Sequence, residues 1–207
     1  MIYLIGGSPR GGKSILSRKL SKKLNVPYIS TDNLRLVVLP YFKRNEKNKN
    51  FPFIRMYESV STDEFFRRYS GQEMLKADLI EAKAVWPGLK SLINHLLVCK
   101  MDYIIEGIHL LPSFVKEFKD NKNIRIVFLN KTTAEKIHKG LLSNKNNSDW
   151  LMDNAKNKET ILISAKAFCE YGKYFIRETK KYRYKCFNTE ENFNEKIKEG
   201  MAYLENI

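Results

Sequence analysis

The 207-residue chain reads as an α/β protein in three layers, with about five parallel strands covered on both faces by helices. Two patterns predict this. Short apolar runs alternate with longer amphipathic stretches, the order that strand–helix–strand crossovers produce. The first of those runs also ends in a glycine-rich turn that passes directly into a helical pattern.

Taken in order, Ile2 to Ile5 reads as a buried strand running into Gly6 and Gly7. Between Lys13 and Leu24, Leu16, Leu20 and Leu24 recur every fourth position among Arg18, Lys19, Lys22 and Lys23, which makes an amphipathic helix. Val26 to Ser30 is a second strand, and Thr31 or Asp32 caps a helix opening at about Asn33. Lys43 to Asn50 carries no apolar residue and is expected to be a solvated, mobile loop. Thr62 to Lys83 and Leu89 to Lys100 read as helices separated by a break at Trp86-Pro87-Gly88. Residues 40–100 thus form a helical insertion over one end of the sheet. Asp102 to Glu106 is the third strand, followed by a helix near Ser113 to Lys119 and a fourth strand at Ile124 to Leu129. Thr132 to Leu142 is helical, Ser143 to Asp149 is a polar loop, and Trp150 to Lys181 makes one or two long helices. Tyr184 to Phe187 supplies the fifth strand and Glu191 to Leu204 a closing helix. There is no internal repeat, so residues 1–207 are expected to form one domain.

Composition narrows the classes. Hydrophobic residues make up 43%, enough for an ordinary core, which excludes wholesale disorder. No apolar run approaches the ~18 residues that cross a bilayer, and Met1 to Ile5 lacks a basic leader, so neither export nor membrane insertion is expected. Cys99, Cys169 and Cys186 are scattered without metal-type spacing and read as buried, reduced packing residues, which fits a cytoplasmic setting. The 37 Lys and Arg against 23 Asp and Glu give a net charge of +14. That surplus comes from 27 Lys against 10 Arg, alongside 18 Asn, so nucleic acid is the less favoured partner and an anionic small molecule the more favoured.

The chemistry concentrates at Gly7-Ser8-Pro9-Arg10-Gly11-Gly12-Lys13-Ser14, a full match to G-x-x-x-x-G-K-[ST] between a strand and a helix. Glycines let main-chain N–H groups curl around phosphate oxygens, and the helix N-terminus adds a positive dipole. ATP and Mg²⁺ are the expected ligands. Gly7, Ser8, Gly11, Gly12, Lys13, Ser14 and Ile15 would hold the nucleotide, with Lys13 reaching the β- and γ-phosphates and Ser14 the metal. Ile15 replaces the second hydroxyl that many such loops carry, and Arg10 is an unusually large cation for the loop, read as pointing to solvent.

With that loop, Ser30-Thr31-Asp32-Asn33-Leu34-Arg35 after the second strand and Ile104-Ile105-Glu106-Gly107-Ile108-His109-Leu110-Leu111-Pro112 after the third, the chain resembles the P-loop kinases of the nucleoside-monophosphate-kinase-like class, and among them 2-phosphoglycerate kinase and its relatives. The resemblance implies a P-loop NTPase-like fold with a helical insertion and a lid near residues 136–150. It further implies transfer of a γ-phosphoryl group from ATP to a small anionic acceptor such as 2-phosphoglycerate. A polynucleotide or nucleotide kinase and a nucleotide-binding regulatory protein are the alternatives. Asp32 would take the acceptor's proton or help hold Mg²⁺, its other reading being a helix cap; Glu106 would order the metal's water or orient the acceptor. Arg35, Arg55, Arg67 and Arg68 are the candidate acceptor clamps, and His109 a packing or hydrogen-bonding residue. The class usually supplies lid arginines to the transferring group, yet no arginine lies between Arg125 and Arg177; Lys136, Lys139 and Lys145 are the cations near the lid loop.

Overall fold

A computed structural model describes residues 1–58, 60–143 and 149–205. Its centre is a parallel sheet of β1 (Ile2–Gly7), β2 (Tyr28–Ser30), β3 (Tyr103–Glu106), β4 (Ile124–Asn130) and β5 (Cys186–Asn188), in the order β2-β3-β1-β4-β5. All six residues of β1 are buried, because helices cover both faces; this is why the strand reads as a continuous apolar run rather than an alternation. Register sets the working edge: Ile5 lies opposite Glu106 and Val127, and Ser30 opposite Glu106, so the carboxyl ends of β1, β2 and β3 finish together. Ligands of open parallel sheets bind at that edge.

The remaining helices are α1 (Lys13–Leu24), α2 (Thr31–Val38), α3 (Arg44–Asn50), α4 (Pro52–Tyr57), α5 (Thr62–Arg68), α6 (Gly71–Val98), α7 (Pro112–Val115), α8 (Ala134–Ser143), α9 (Trp150–Asn154), α10 (Lys158–Lys181) and α11 (Phe193–Glu205). One face of the sheet is closed by α1 and α11 through Ile5, Leu16, Leu20, Val127, Leu129 and Ile197. The other is closed by α6, α7 and α10 through Leu4, Leu89, Ile93, Ile105, Val115, Phe128 and Phe175. Beyond the sheet, Phe65, Phe66, Met74, Ile137, Leu151 and Phe168 form a further cluster between α5, α6, α8, α9 and α10. Each fully buried Leu, Ile or Phe contributes about 1.5–3 kcal/mol through area removed from water.

Residues 40–100 depart from expectation in three places. Lys43–Asn50 is not a loop: Arg44–Asn50 is helical, its first turn closed by Glu46 accepting from the Lys43 N–H at 2.9 Å. The break comes at Tyr69 and Ser70 rather than at Pro87, because Ser70 and Glu73 form a capping box that starts α6 afresh. Pro87 sits within α6 on an exposed turn, where the carbonyl it leaves unpaired can be met by water. One smaller difference follows the same logic: α2 opens at Thr31 under a Ser30 cap; within 150–181, where one or two helices were expected, Asp149 and Asn157 cap two. Of the cysteines, Cys169 is buried but Cys99 is exposed, contrary to the expectation for it.

Candidate active site

The loop between β1 and α1 is held from three sides. Gly7 has φ 126°, and a Cβ there would stand 1.9 Å from the Leu129 carbonyl oxygen, so no side chain fits. The Ser8 N–H donates to that same oxygen at 3.2 Å, and the Ser8 hydroxyl accepts from the Lys131 N–H at 3.1 Å. From beyond β5, the Thr189 hydroxyl donates to the Gly11 carbonyl at 2.9 Å. The chain turns into α1 at Gly12, with φ 98°, and leaves the helix N-terminus facing the cleft.

Lys13 is buried and curls back over the loop, its ammonium donating to the Ser8 carbonyl at 2.8 Å. Burial pushes its pKa down, while Glu106 and Asp32 pull it up. The Ser14 hydroxyl donates to Glu106 Oε1 at 3.0 Å. Glu106 is itself buried, which raises its pKa; Lys13 and the Ser14 hydrogen bond work in the other direction. Ser14 and Glu106, with Asp32 close enough to perturb Glu106, form a set of hard oxygen donors beside a helix N-terminus, and that chemistry suits Mg²⁺.

Asp32 stands at the start of α2, its N–H donating to the Ser30 hydroxyl at 3.3 Å and its side chain 53% exposed. Its carboxylate lies 3.8 Å from His109 Nδ1 and 3.9 Å from the Arg35 guanidinium. His109 is buried at 2.8 Å from the Thr31 hydroxyl, and burial pushes its pKa down to about 4, leaving a neutral ring at pH 7. Arg35 binds Glu81 at 3.0 Å, lies 3.8 Å from Asp78, and sits over the Phe53 ring. Burial alone would lower the Arg35 pKa, but Asp32, Glu81 and Asp78 together raise it. Glu81 also accepts from the Ile54 N–H at 2.8 Å, joining α4 to α6, and the Tyr171 hydroxyl of α10 donates to Asp78. Burial raises the pKa of Glu81 and, well above the usual carboxylate range, that of Asp78.

Most of these groups open into one cleft of about 930 Å³, with Glu81 and His109 buried behind it. Gly12, Lys13, Ser14, Ile15, Asp32, Arg35, Glu106, Lys136 and Lys139 all line it, while Gly7, Ser8 and Gly11 build the loop behind it. Arg55, Arg67 and Arg68 do not: they are exposed, and none of them is among the described residues lining the cleft. Arg68 instead lies over the neighbouring Tyr69 ring. Lys145 falls outside the described residues. Arg10 does not point to solvent; its guanidinium forks onto the buried Asp149 carboxylate. Trp150 also lines the cleft, 45% exposed, against Tyr57 and Phe66.

Sequence reasoning missed Asp78, Glu81, Asp149 and Glu190. Asp78 and Glu81 did leave a trace, as acids three apart on the apolar face of α6 beside Ala77, Ala82 and Val85. Glu190 accepts from the Thr132 and Thr133 N–H groups at 2.5 and 2.6 Å, which holds its pKa down at about 2 despite the upward pull of burial. It ties the loop after β4 to the loop after β5 on the phosphate-loop side of the cleft.

No protein-family model matches the chain. A 2-phosphoglycerate kinase of Methanocaldococcus jannaschii is 30% identical over 142 residues, 67% of this chain and 44% of that protein. Its counterpart in Methanothermobacter thermautotrophicus is 28% identical over 155 residues, 72% of this chain and 49% of that one. The chain thus spans less than half the length of these curated relatives. Among solved structures, a gluconokinase from Sinorhizobium meliloti superposes with a TM-score of 0.50 at 12% identity, covering 98% of this chain and 90% of that one. No helix among the described residues is long and apolar enough to cross a membrane. The phosphate loop and the strand order give the chain a P-loop kinase fold, which it shares with that gluconokinase, and over two thirds of its own length its sequence is similar to the 2-phosphoglycerate kinases.

Proposed function

We propose that the chain is a small-molecule kinase that moves the γ-phosphoryl group of ATP to a hydroxyl of an anionic acceptor. The observation that carries this reading is the meeting of Lys13, the Ser14–Glu106 pair and Asp32 in one cleft at the carboxyl edge of the sheet. The amides of residues 7–13 would cradle the phosphates, with Lys13 exchanging the Ser8 carbonyl for β- and γ-oxygens. Ser14 and Glu106 would hold Mg²⁺, which when bound neutralises phosphate charge. Asp32, in reach of solvent and steered by His109 and Arg35, would accept the acceptor's proton as its oxygen attacks the γ-phosphorus. Residues 40–100 would form the acceptor side, where Phe53 and Tyr57 of α4 and Asp78 of α6 reach the cleft.

An anionic acceptor of the 2-phosphoglycerate kind is supported by the curated names of the relatives and by Arg18, Arg35, Lys136 and Lys139 along the cleft. Arg35 reaches such an anion only by sharing itself with Glu81 and Asp32, which favours one acidic group placed at Arg35 and the rest toward α8. The test is ADP formation from Mg·ATP with 2-phosphoglycerate, a neutral polyol and a 5′-hydroxyl oligonucleotide in parallel. Turnover with 2-phosphoglycerate alone is the expected result. Turnover with the oligonucleotide alone makes the protein a polynucleotide kinase, and tight ATP binding with no ADP from any of them makes it a regulatory nucleotide binder.

A further inference from the structure

We propose that Arg10 is the arginine that contacts the transferring phosphoryl group in this chain, supplied from inside the phosphate loop and positioned by Asp149. The proposal rests on the kinase reading above and identifies a further catalytic residue for it. A phosphoryl group in flight spreads charge over three equatorial oxygens, and an arginine there is worth about 10³–10⁵ in rate. No arginine lies between Arg125 and Arg177, and the α8 cations that line the cleft, Lys136 and Lys139, are point charges rather than forks.

Among the described residues, three arginines line the cleft: Arg10, Arg18 and Arg35. Arg35 is engaged by Glu81 beside Asp32, on the acceptor side. Arg18 is exposed one turn down α1 and donates its Nε–H to the Ser14 carbonyl at 3.1 Å. Arg10 is different in kind. It lies within the phosphate loop itself, three positions before Lys13, in the left-handed region at φ 63°, which costs a non-glycine residue about 1 kcal/mol or more. The side chain gained by that cost is turned inward: Nη1 and Nη2 fork onto the two oxygens of Asp149, the second at 2.9 Å, and the guanidinium lies 5.8 Å from the Phe168 ring centre.

Asp149 is a built partner rather than a chance one. Its side chain is 2% exposed, and Oδ1 also accepts from the Leu151 and Met152 N–H groups at 3.1 and 3.3 Å as the cap of α9. The fork occupies two of the five guanidinium N–H groups and leaves three for phosphate oxygens. Arg10 also pushes the Lys13 pKa down, so the two cations act on the same small space. In the transfer step the acceptor oxygen bonds to the γ-phosphorus, its proton passes to Asp32, and the bond to the β–γ bridging oxygen breaks with its electron pair leaving on ADP. Lys13 and Arg10 meet the charge on the oxygens between them.

The test uses the full chain and needs no acceptor. Affinities for Mg·ADP and for the non-hydrolysable Mg·AMP-PNP are measured by calorimetry, and slow ATP hydrolysis by single turnover, for the parent, Arg10→Ala, Arg10→Lys and Asp149→Asn. In Arg10→Ala, AMP-PNP affinity should fall about tenfold or more with ADP affinity held within about threefold, and hydrolysis should fall about 100-fold. Arg10→Lys should restore AMP-PNP affinity but not the rate, because the charge returns without the fork. Asp149→Asn should keep ADP affinity and lower the rate by about tenfold. Equal weakening of ADP and AMP-PNP in Arg10→Ala, or an unchanged rate, overturns the proposal and leaves Arg10 as a strut of the loop. A parent protein that binds neither nucleotide overturns the kinase reading instead.

Discussion

Lowering the pH from 7 to 5 should weaken the fold through His109. The imidazole is fully buried against the Thr31 hydroxyl, and burial, opposed by Asp32, moves its pKa from 6.5 to about 4. The unfolded chain takes up this proton below about pH 6.5 while the folded protein refuses it until about pH 4, so stability present above that window is lost as the pH falls through it. The difference, 6.5 − 4, corresponds to about 3 kcal/mol when complete, at ~1.36 kcal/mol per unit. At pH 5 the unfolded ring is almost wholly charged and the folded ring still neutral, so about 2 kcal/mol is lost. Asp78, Glu81 and Glu106 act with the opposite sign. Burial raises their pKa values, so their contribution is present at low pH and is lost as the pH rises past the ordinary carboxylate range. The measurement is therefore a difference: urea unfolding at pH 7 and pH 5 for the parent and for His109→Gln, which keeps a hydrogen-bonding group near Thr31 without a titrating one. The parent should lose about 2 kcal/mol more than the variant. Equal losses in the two proteins would show that His109 takes up its proton without disturbing the fold, and the reasoning would fail.

Lys13→Ala should weaken nucleotide binding in calorimetry and lower any phosphoryl transfer by at least ~100-fold, since among the described residues Lys13 supplies the ammonium on the Ser8 carbonyl. Asp32→Asn should leave ATP affinity intact while ADP formation with an acceptor collapses; persistence near the parent rate would reduce Asp32 to a helix-terminal residue. Arg35→Met strands the fully buried Glu81 without its cation and should cost about 3–5 kcal/mol in urea unfolding, a loss that Arg35→Met/Glu81→Met should largely recover. Gly7→Ala forces a Cβ to within 1.9 Å of the Leu129 carbonyl oxygen at φ 126°, so the variant should melt lower and bind no nucleotide even where the fold survives.

Much of the sheet was legible because burial on two faces writes itself as apolar runs: Ile2 to Ile5 and Ile124 to Leu129 lie within β1 and β4. The phosphate loop was legible because its glycines and its Lys-Ser are adjacent in the chain. The insertion was harder, since local signals there misled. Pro87 looks like a stop, but on an exposed turn it costs α6 little more than one hydrogen bond. Lys43–Asn50 looks too polar for a helix, yet Glu46 closes its first turn. The partners of the site's charges were beyond reach for a different reason. Arg35 meets Glu81 across 46 positions and Arg10 meets Asp149 across 139, and spacing along the chain carries no signal over such distances. Arg55, Arg67 and Arg68 were chosen by charge and neighbourhood, and their helices turn them outward.

The 24-residue helix α10 belongs to two cores at once: Ile161, Ala165 and Phe168 sit in the cluster with α5, α8 and α9, while Phe175 sits in the one against the sheet. Neither core is complete without it, and such a rod has no soft joint at which the halves could part. Heating should therefore melt sheet and insertion in a single calorimetric transition, and clipping α10 near Tyr171 should leave no fragment that holds its shape.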